Sequence, residues 1–313
     1  RRKMKIKICA KPPVNLFPDV LLLLTAYCLL PTVFFAQAGW TPDMRLTYRQ
    51  GTAFYPRAAC CGDTIHIVWW QHYAHDEIFY KRSTDCGMTW GNDTILSIED
   101  DTTSQMPDIA VYNNNIHVVW YESQSFYNAI CYRRSTDGGN TWSNIQKIVK
   151  DPFYGLYHPW VCVAKNNIFV VAIKSGSGGR LIFTKSTNSG LTWSDSVTIT
   201  SAHQSPRIIN PIDDSLFLFV AAEDYPYGIE ITTSESHDGG ITWSDSFYVS
   251  GDDSISSFNP AATIDDDGGI HVAWCDYKYT PYPWTGDIFY RYSQDSGNIW
   301  QQIDSLTVFH RAF

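Results

Sequence analysis

Short apolar runs alternate along the chain with clusters of Gly, Asn, Asp and Ser, and no segment of its body shows the helical period. Between residues 106 and 150 the runs come in a fixed order: Pro107-Asp-Ile-Ala-Val, Ile116-His-Val-Val-Trp120, Ala129-Ile-Cys-Tyr-Arg, an octapeptide, then Ile145-Gln-Lys-Ile-Val149. Runs of this length bounded by turn-forming residues predict strands, here a meander of four. The same order returns around five related octapeptides: Ser83-Thr-Asp-Cys-Gly-Met-Thr-Trp90, Ser135-Thr-Asp-Gly-Gly-Asn-Thr-Trp142, Ser186-Thr-Asn-Ser-Gly-Leu-Thr-Trp193, Ser236-His-Asp-Gly-Gly-Ile-Thr-Trp243 and Ser293-Gln-Asp-Ser-Gly-Asn-Ile-Trp300. Their tryptophans lie 52, 51, 50 and 57 residues apart, a spacing that marks a repeat array.

One four-stranded sheet cannot bury both of its faces, so neighbouring units must stack. Stacked radially, they give an all-β propeller of four-stranded antiparallel blades. Five blades are expected, at approximately 55–98, 106–150, 158–200, 205–250 and 259–307, inside one domain spanning 39–313. Met44 to Tyr48 reads as a fourth strand with no blade of its own, and the chain stops at Phe313, just short of the next expected first strand. The expectation is a six-bladed ring truncated at the C-terminus, with a five-bladed ring as the alternative.

Each octapeptide has a local role. Its Ser and Asp can bond the backbone donors of a tight turn, its Gly can take a positive φ, and its Trp can lie across the hairpin. Asp85 with Trp90, Asp137 with Trp142, Asn188 with Trp193, Asp238 with Trp243 and Asp295 with Trp300 are the structural residues of the five turns. Asn188 and Ile299 depart from the pattern and are expected to weaken their turns slightly.

The octapeptides resemble the Asp-box, or bacterial neuraminidase repeat, of sialidase-like propellers, over most of residues 40–307. That resemblance implies a box between the third and fourth strands, as found here. The group includes sialidases, other glycoside hydrolases and noncatalytic binding proteins, so the fold does not fix the chemistry.

Charge and the N-terminus narrow the setting. Arg1, Arg2, Lys3, Lys5, Lys7 and Lys11 precede an apolar run from Val20 to Phe35 that ends in Ala36-Gln37-Ala38, the pattern of a signal peptide over residues 1–38. The remainder carries 17 Lys and Arg against 31 Asp and Glu, a net charge near −14, which argues against nucleic acid or an anionic membrane as partner. The reading is a secreted chain with no membrane attachment after cleavage. Its cysteines do not recur from repeat to repeat, and Cys61 and Cys86, placed at one end of the first blade, are a candidate disulfide.

In an up-and-down meander the octapeptide turns share one end with the turns between first and second strands. The functional face is then the opposite end. Its segments between second and third strands mix rings with carboxylates, which suits sugar rings: Trp70, Tyr73, Tyr127, Tyr225, Tyr277 and Trp284 are the candidate ligand-binding residues. The sialidase resemblance implies three arginines for a substrate carboxylate, an acidic Asp, and a Tyr nucleophile with a Glu. The Phe/Tyr-Arg-Ile-Pro motif that holds the first of these arginines is absent, since Phe54-Tyr55-Pro56-Arg57 stands in its place. A hydrolase of this type would draw on Arg57, Arg207, Asp76, Glu122 and Glu223. His66, His117 and His271 share one strand position and read as packing residues, so neither metal nor cofactor is expected. The favoured function is noncatalytic binding of a glycan or an extracellular protein, with an exo-acting sialidase or related hydrolase as the alternative; the two differ in whether arginines converge on the propeller axis.

Overall fold

The computed structural model describes residues 43–307, apart from residue 73 and 125–126, 177–178, 201–203, 210–215, 225–227, 252, 254, 266 and 279–285. The expected signal segment therefore lies outside the described residues. The chain divides into a short unit ending at Gln50 and a body from Gly51 onwards. Met44 to Tyr48, expected as a strand, have no strand pairing.

The body holds five four-stranded antiparallel sheets, each a meander in chain order. In the first, the inner strand Thr52–Cys61 pairs with Thr64–His72, which pairs with Asp76–Ser83 and then with the short outer strand Thr94–Ile95. The inner strands of the next four blades are Thr103–Tyr112, Leu156–Ala164, Gln204–Ile209 and Ser257–Ile264. Successive inner strands pack against one another from the first blade to the fifth; among the described residues, packing of this extent does not join the fifth to the first. This is the expected propeller of blades.

The second strands are apolar on both faces because each lies between two neighbouring blades. Ile67, Val118, Val170 and Val272 are buried at equivalent positions, and the fully buried Trp69, Trp120 and Trp274 fill the layers.

The octapeptides form the bonds their composition predicts. In the second blade, Ser135 Oγ donates to Asp137 Oδ1 (2.7 Å) and accepts from Gly139 N (2.8 Å), while Asp137 accepts from Thr141 N (2.9 Å) and Thr141 Oγ1 (2.6 Å). The Thr141, then Ser135 bonds hold the Asp137 carboxyl well below its usual range. Asn188 rebuilds the turn as an amide: its Oδ1 accepts from Thr192 N (2.9 Å) and its Nδ2 donates to Thr192 Oγ1 (2.8 Å). The expected weakening at Ile299 reduces to one missing hydroxyl, since Ile299 N still reaches Asp295 Oδ1 at 2.7 Å.

The octapeptide is also the receptor for the preceding blade. Tyr80, Tyr132 and Phe183, at one position of successive third strands, meet Trp142, Trp193 and Trp243 edge-on with ring centroids 4.9, 4.8 and 5.7 Å apart. Each ring presses on the glycine at the fifth octapeptide position: a Cβ on Gly139, Gly190 or Gly240 would enter Tyr80, Tyr132 or Phe183. The tyrosine hydroxyls are held from within their own blade, by Nδ1 of His66 and of His117 at 2.7 Å in each case. Burial pushes both imidazoles down to about 4, so they pack as neutral rings. Two residues further along each third strand, Arg82 bonds Gly138 O, Arg134 bonds Ser189 O and Lys185 bonds Gly239 O (2.8 Å), capping turn carbonyls of the next blade. In the fourth blade Thr233 and Glu235 occupy these two positions, so neither the ring nor the cation is supplied there.

The proposed Cys61–Cys86 bridge is not formed. Both thiols are free, and Cys86, in the left-handed region at φ 56°, donates from Sγ to Asp63 Oδ1 at 3.3 Å. The octapeptide turn aims this side chain at the neighbouring turn's carboxylate.

The inter-blade joint yields a stability test in paired glycine variants. Gly62 and Gly190 both have positive φ, but a Cβ at Gly62 meets open space. Gly62→Ala is expected to lose about 1 kcal/mol in urea unfolding, and Gly190→Ala roughly 2 kcal/mol more, because Tyr132 must move. Equal losses would remove the joint from the account of stability.

Candidate functional site

All five inner strands carry a proline at the same place: Pro56, Pro107, Pro159, Pro206 and Pro260. Each lies at a register break, between Phe54 and Arg57, Gln105 and Asp108, Tyr157 and Trp160, Gln204 and Arg207, and Phe258 and Ala261. Proline cannot donate to a ladder, so an edge strand with a bulge is where it fits. The residues before it adopt left-handed backbone, Tyr55 at φ 47°, Met106 at 52°, His158 at 48° and Asn259 at 53°. Such backbone is strained for these residue types.

The residues after the prolines form one layer at the axis: Arg57, Asp108, Trp160, Arg207 and Ala261. Both guanidinium carbons lie over the Trp160 indole, Arg57 at 4.4 Å and Arg207 at 3.4 Å from its centroid. Asp108 is buried, with Oδ1 3.8 Å from Arg57 Nε and Oδ2 accepting from Val161 N at 2.9 Å. Arg57, Trp160 and Arg207 are half-buried, and Ala261 is exposed. Arg57 Nε and Trp160 Nε1 find no hydrogen-bond acceptor. Beside this layer a small cleft is lined by Tyr55, Met106 and His158.

The electrostatics follow from burial and crowding. Burial, then the Arg57 charge, lowers the Arg207 guanidinium to about 10. Burial and both arginines hold His158 below its ordinary value, so it is neutral at physiological pH. Burial raises Asp108 to about 6, with the Val161 amide and Arg57 opposing the rise. The layer is a compact cationic spot on an acidic chain, with an aromatic floor and one weakly held internal counter-charge. Its chemistry suits an anion, above all a planar carboxylate.

The residues expected from sequence divide sharply. Arg57 and Arg207 converge over Trp160, the feature tied to the hydrolase alternative, but as a pair and not the three arginines that the resemblance implies. Trp70 does not face the site: it is buried, stacked on Phe54 at 4.4 Å. Glu122 is buried and paired with Lys147 at 2.5 Å, away from the arginines. Asp76 accepts from Gln105 Nε2 (2.5 Å) and bonds His72 Nδ1 (2.6 Å), and Gln105 in turn accepts from Tyr121 (3.2 Å), at the expected face. Tyr277 is half-buried, its ring 5.4 Å from that of Phe258. Tyr73, Tyr225 and Trp284 lie outside the described residues, as do the side chains of Tyr127 and Glu223. Sequence reasoning missed Asp108, Trp160 and His158; the five aligned prolines would have found them.

No protein-family model and no curated protein matches the sequence. Solved structures do match. The Hadza microbial sialidase Hz136 aligns over 86% of this chain at 17% identity with a TM-score of 0.59. The fold is that of the sialidase propellers. The intramolecular trans-sialidase from Ruminococcus gnavus, solved with oseltamivir carboxylate, aligns over 82% of this chain and 85% of its own at 13% identity and TM-score 0.58. A PL25 ulvan lyase bound to -[GlcA(1-4)Rha3S]- aligns over 80% and 72% at 11% identity and TM-score 0.56. This sialidase-type propeller spans 63% of the length of the Hadza enzyme.

The raised Asp108 predicts that any anion affinity of this layer depends on pH. As pH falls through about 6, Asp108 takes up a proton and ceases to neutralise the two arginines, while a sugar carboxylate stays ionised. Fluorescence titration with glucuronate is expected to show several-fold tighter binding at about pH 5 than at about pH 7.5, and Asp108→Asn is expected to bind tightly at both. A pH profile unchanged by Asp108→Asn would contradict this charge balance.

Proposed function

We propose that this propeller is an exported, noncatalytic module that binds an acidic glycan, gripping a sugar carboxylate with the axial pair Arg57 and Arg207. The observation that carries the reading is the placement of both guanidiniums over Trp160 in a half-buried layer. The exposed Ala261 leaves room on the fifth-blade side. The octapeptides are read as Asp-boxes with a structural role, and residues 1–38 as the export signal. The partner is a free glycan or the glycan of an extracellular protein.

The noncatalytic reading rests on what surrounds the arginines. The other positions of the layer are Asp, Trp and Ala, so no third arginine joins there. Among the carboxylates with described side chains, Glu122 is neutralised by Lys147. Asp76 bonds His72 at the expected face, a pair that can exchange a proton, and this pair favours the hydrolase as second reading.

A glycan array decides between classes, run beside a fluorogenic sialoside assay. Retention of sialylated, uronic or sulfated glycans over neutral ones, reduced at least about tenfold in Arg207→Ala, is the expected result. Equal retention of neutral glycans would sink the reading. Sialoside turnover that disappears in Arg57→Ala would make the protein a hydrolase.

A further inference from the structure

We infer a second sugar subsite on the seam between the second and third blades, where the exposed ring of Phe153, backed by Tyr154 and Tyr157, stacks a neutral sugar of the chain whose acidic sugar sits at the axis. The inference rests on the axial reading above and extends its ligand from a monosaccharide to an oligosaccharide.

The crossing from the second blade to the third is short, from Asp151 at the end of one strand to Leu156 at the start of the next. It is fixed from several directions. The Asp151 carboxylate is buried and accepts from Phe153 N (2.9 Å), Tyr154 N (2.9 Å) and Lys174 Nζ (2.6 Å). Gly155 donates to Ser175 Oγ (2.7 Å) and accepts from Ser175 N (2.8 Å), tying the crossing to the turn after the third blade's second strand. Asn128 of the second blade donates to Tyr154 O at 3.3 Å. The Tyr154 ring is clamped between Lys174, 4.9 Å from its centroid, and the backbone at Gly176. Tyr157 lies against Gly155 and meets Tyr121 edge-on at 5.5 Å.

All this order presents a phenyl ring that is 86% exposed. Phe153 contributes almost no burial to the fold, yet its backbone amide is held by Asp151. An exposed aromatic face on an anchored crossing is available for stacking against a sugar ring. The seam is continuous with the axial site. From Phe153 the chain passes Tyr154 and the half-exposed Tyr157, then His158 of the axial cleft, and reaches Trp160 under the arginines. Phe153 does not line the axial cleft, so a separate sugar ring is assigned to it.

The test uses two probes, glucuronate and a tetrasaccharide of alternating glucuronate and neutral N-acetylglucosamine, titrated calorimetrically against the full chain and two variants. Wild type is expected to bind the tetrasaccharide at least about tenfold tighter than glucuronate. Phe153→Ala should remove most of that gain and leave glucuronate affinity and thermal stability unchanged, whereas Arg207→Ala should weaken both probes. A tetrasaccharide affinity untouched by Phe153→Ala overturns the subsite while leaving the axial reading intact. Failure of wild type to bind either probe, or equal binding by Arg207→Ala, overturns the axial reading and the subsite with it.

Discussion

The structure depends on a single recurring contact, the insertion of one blade's third-strand aromatic into the octapeptide turn of the next. A lone blade is a thin sheet with two apolar faces, and nothing in its own hairpins fixes the angle to its neighbour. The turn provides that angle. Its fifth-position glycine leaves a slot, its tryptophan walls the slot edge-on, and a cation from the preceding blade closes the carbonyl side. The Ser and Asp bonds inside the turn therefore act at one remove: they keep the slot in shape so that Tyr80, Tyr132 or Phe183 can fill it. Radial order follows, and with it the approach of the inner strands to a common axis.

The axial layer is a product of that order. Arg57, Asp108, Trp160 and Arg207 belong to four separate blades and are about fifty residues apart in sequence. Each reaches the axis because a proline bulge at the same register turns the strand there. An acidic protein can in this way hold a small cationic island, since burial and the indole separate it from the charged exterior more effectively than the net charge opposes it.

Much of the fold was legible in the chain, because strands, turns and period are local properties. The four-strand order, the Ser–Asp–Gly bonds and the packing role of His66 and His117 all follow from residue type and spacing. The site was legible only in part. Trp70 and Glu122 read as loop residues, but their strands run on through His72 and Gln124, and both faces of these second strands are buried. Arg57 and Arg207 stood out as rare cations on the right face. Asp108, Trp160 and His158 did not, since an acid, an indole and an imidazole become one site only when two different blades bring them side by side.

The prolines of the inner strands have a last consequence. Every inner strand is a sheet edge, and a ring of such edges facing one another is a template for zipping together, or for capturing a passing extended peptide. A proline in the middle of each edge deletes a donor, and the bulge beside it twists the remaining ones out of line. The five edges are thereby kept from recognising backbone, and what the channel wall can recognise is left to its side chains.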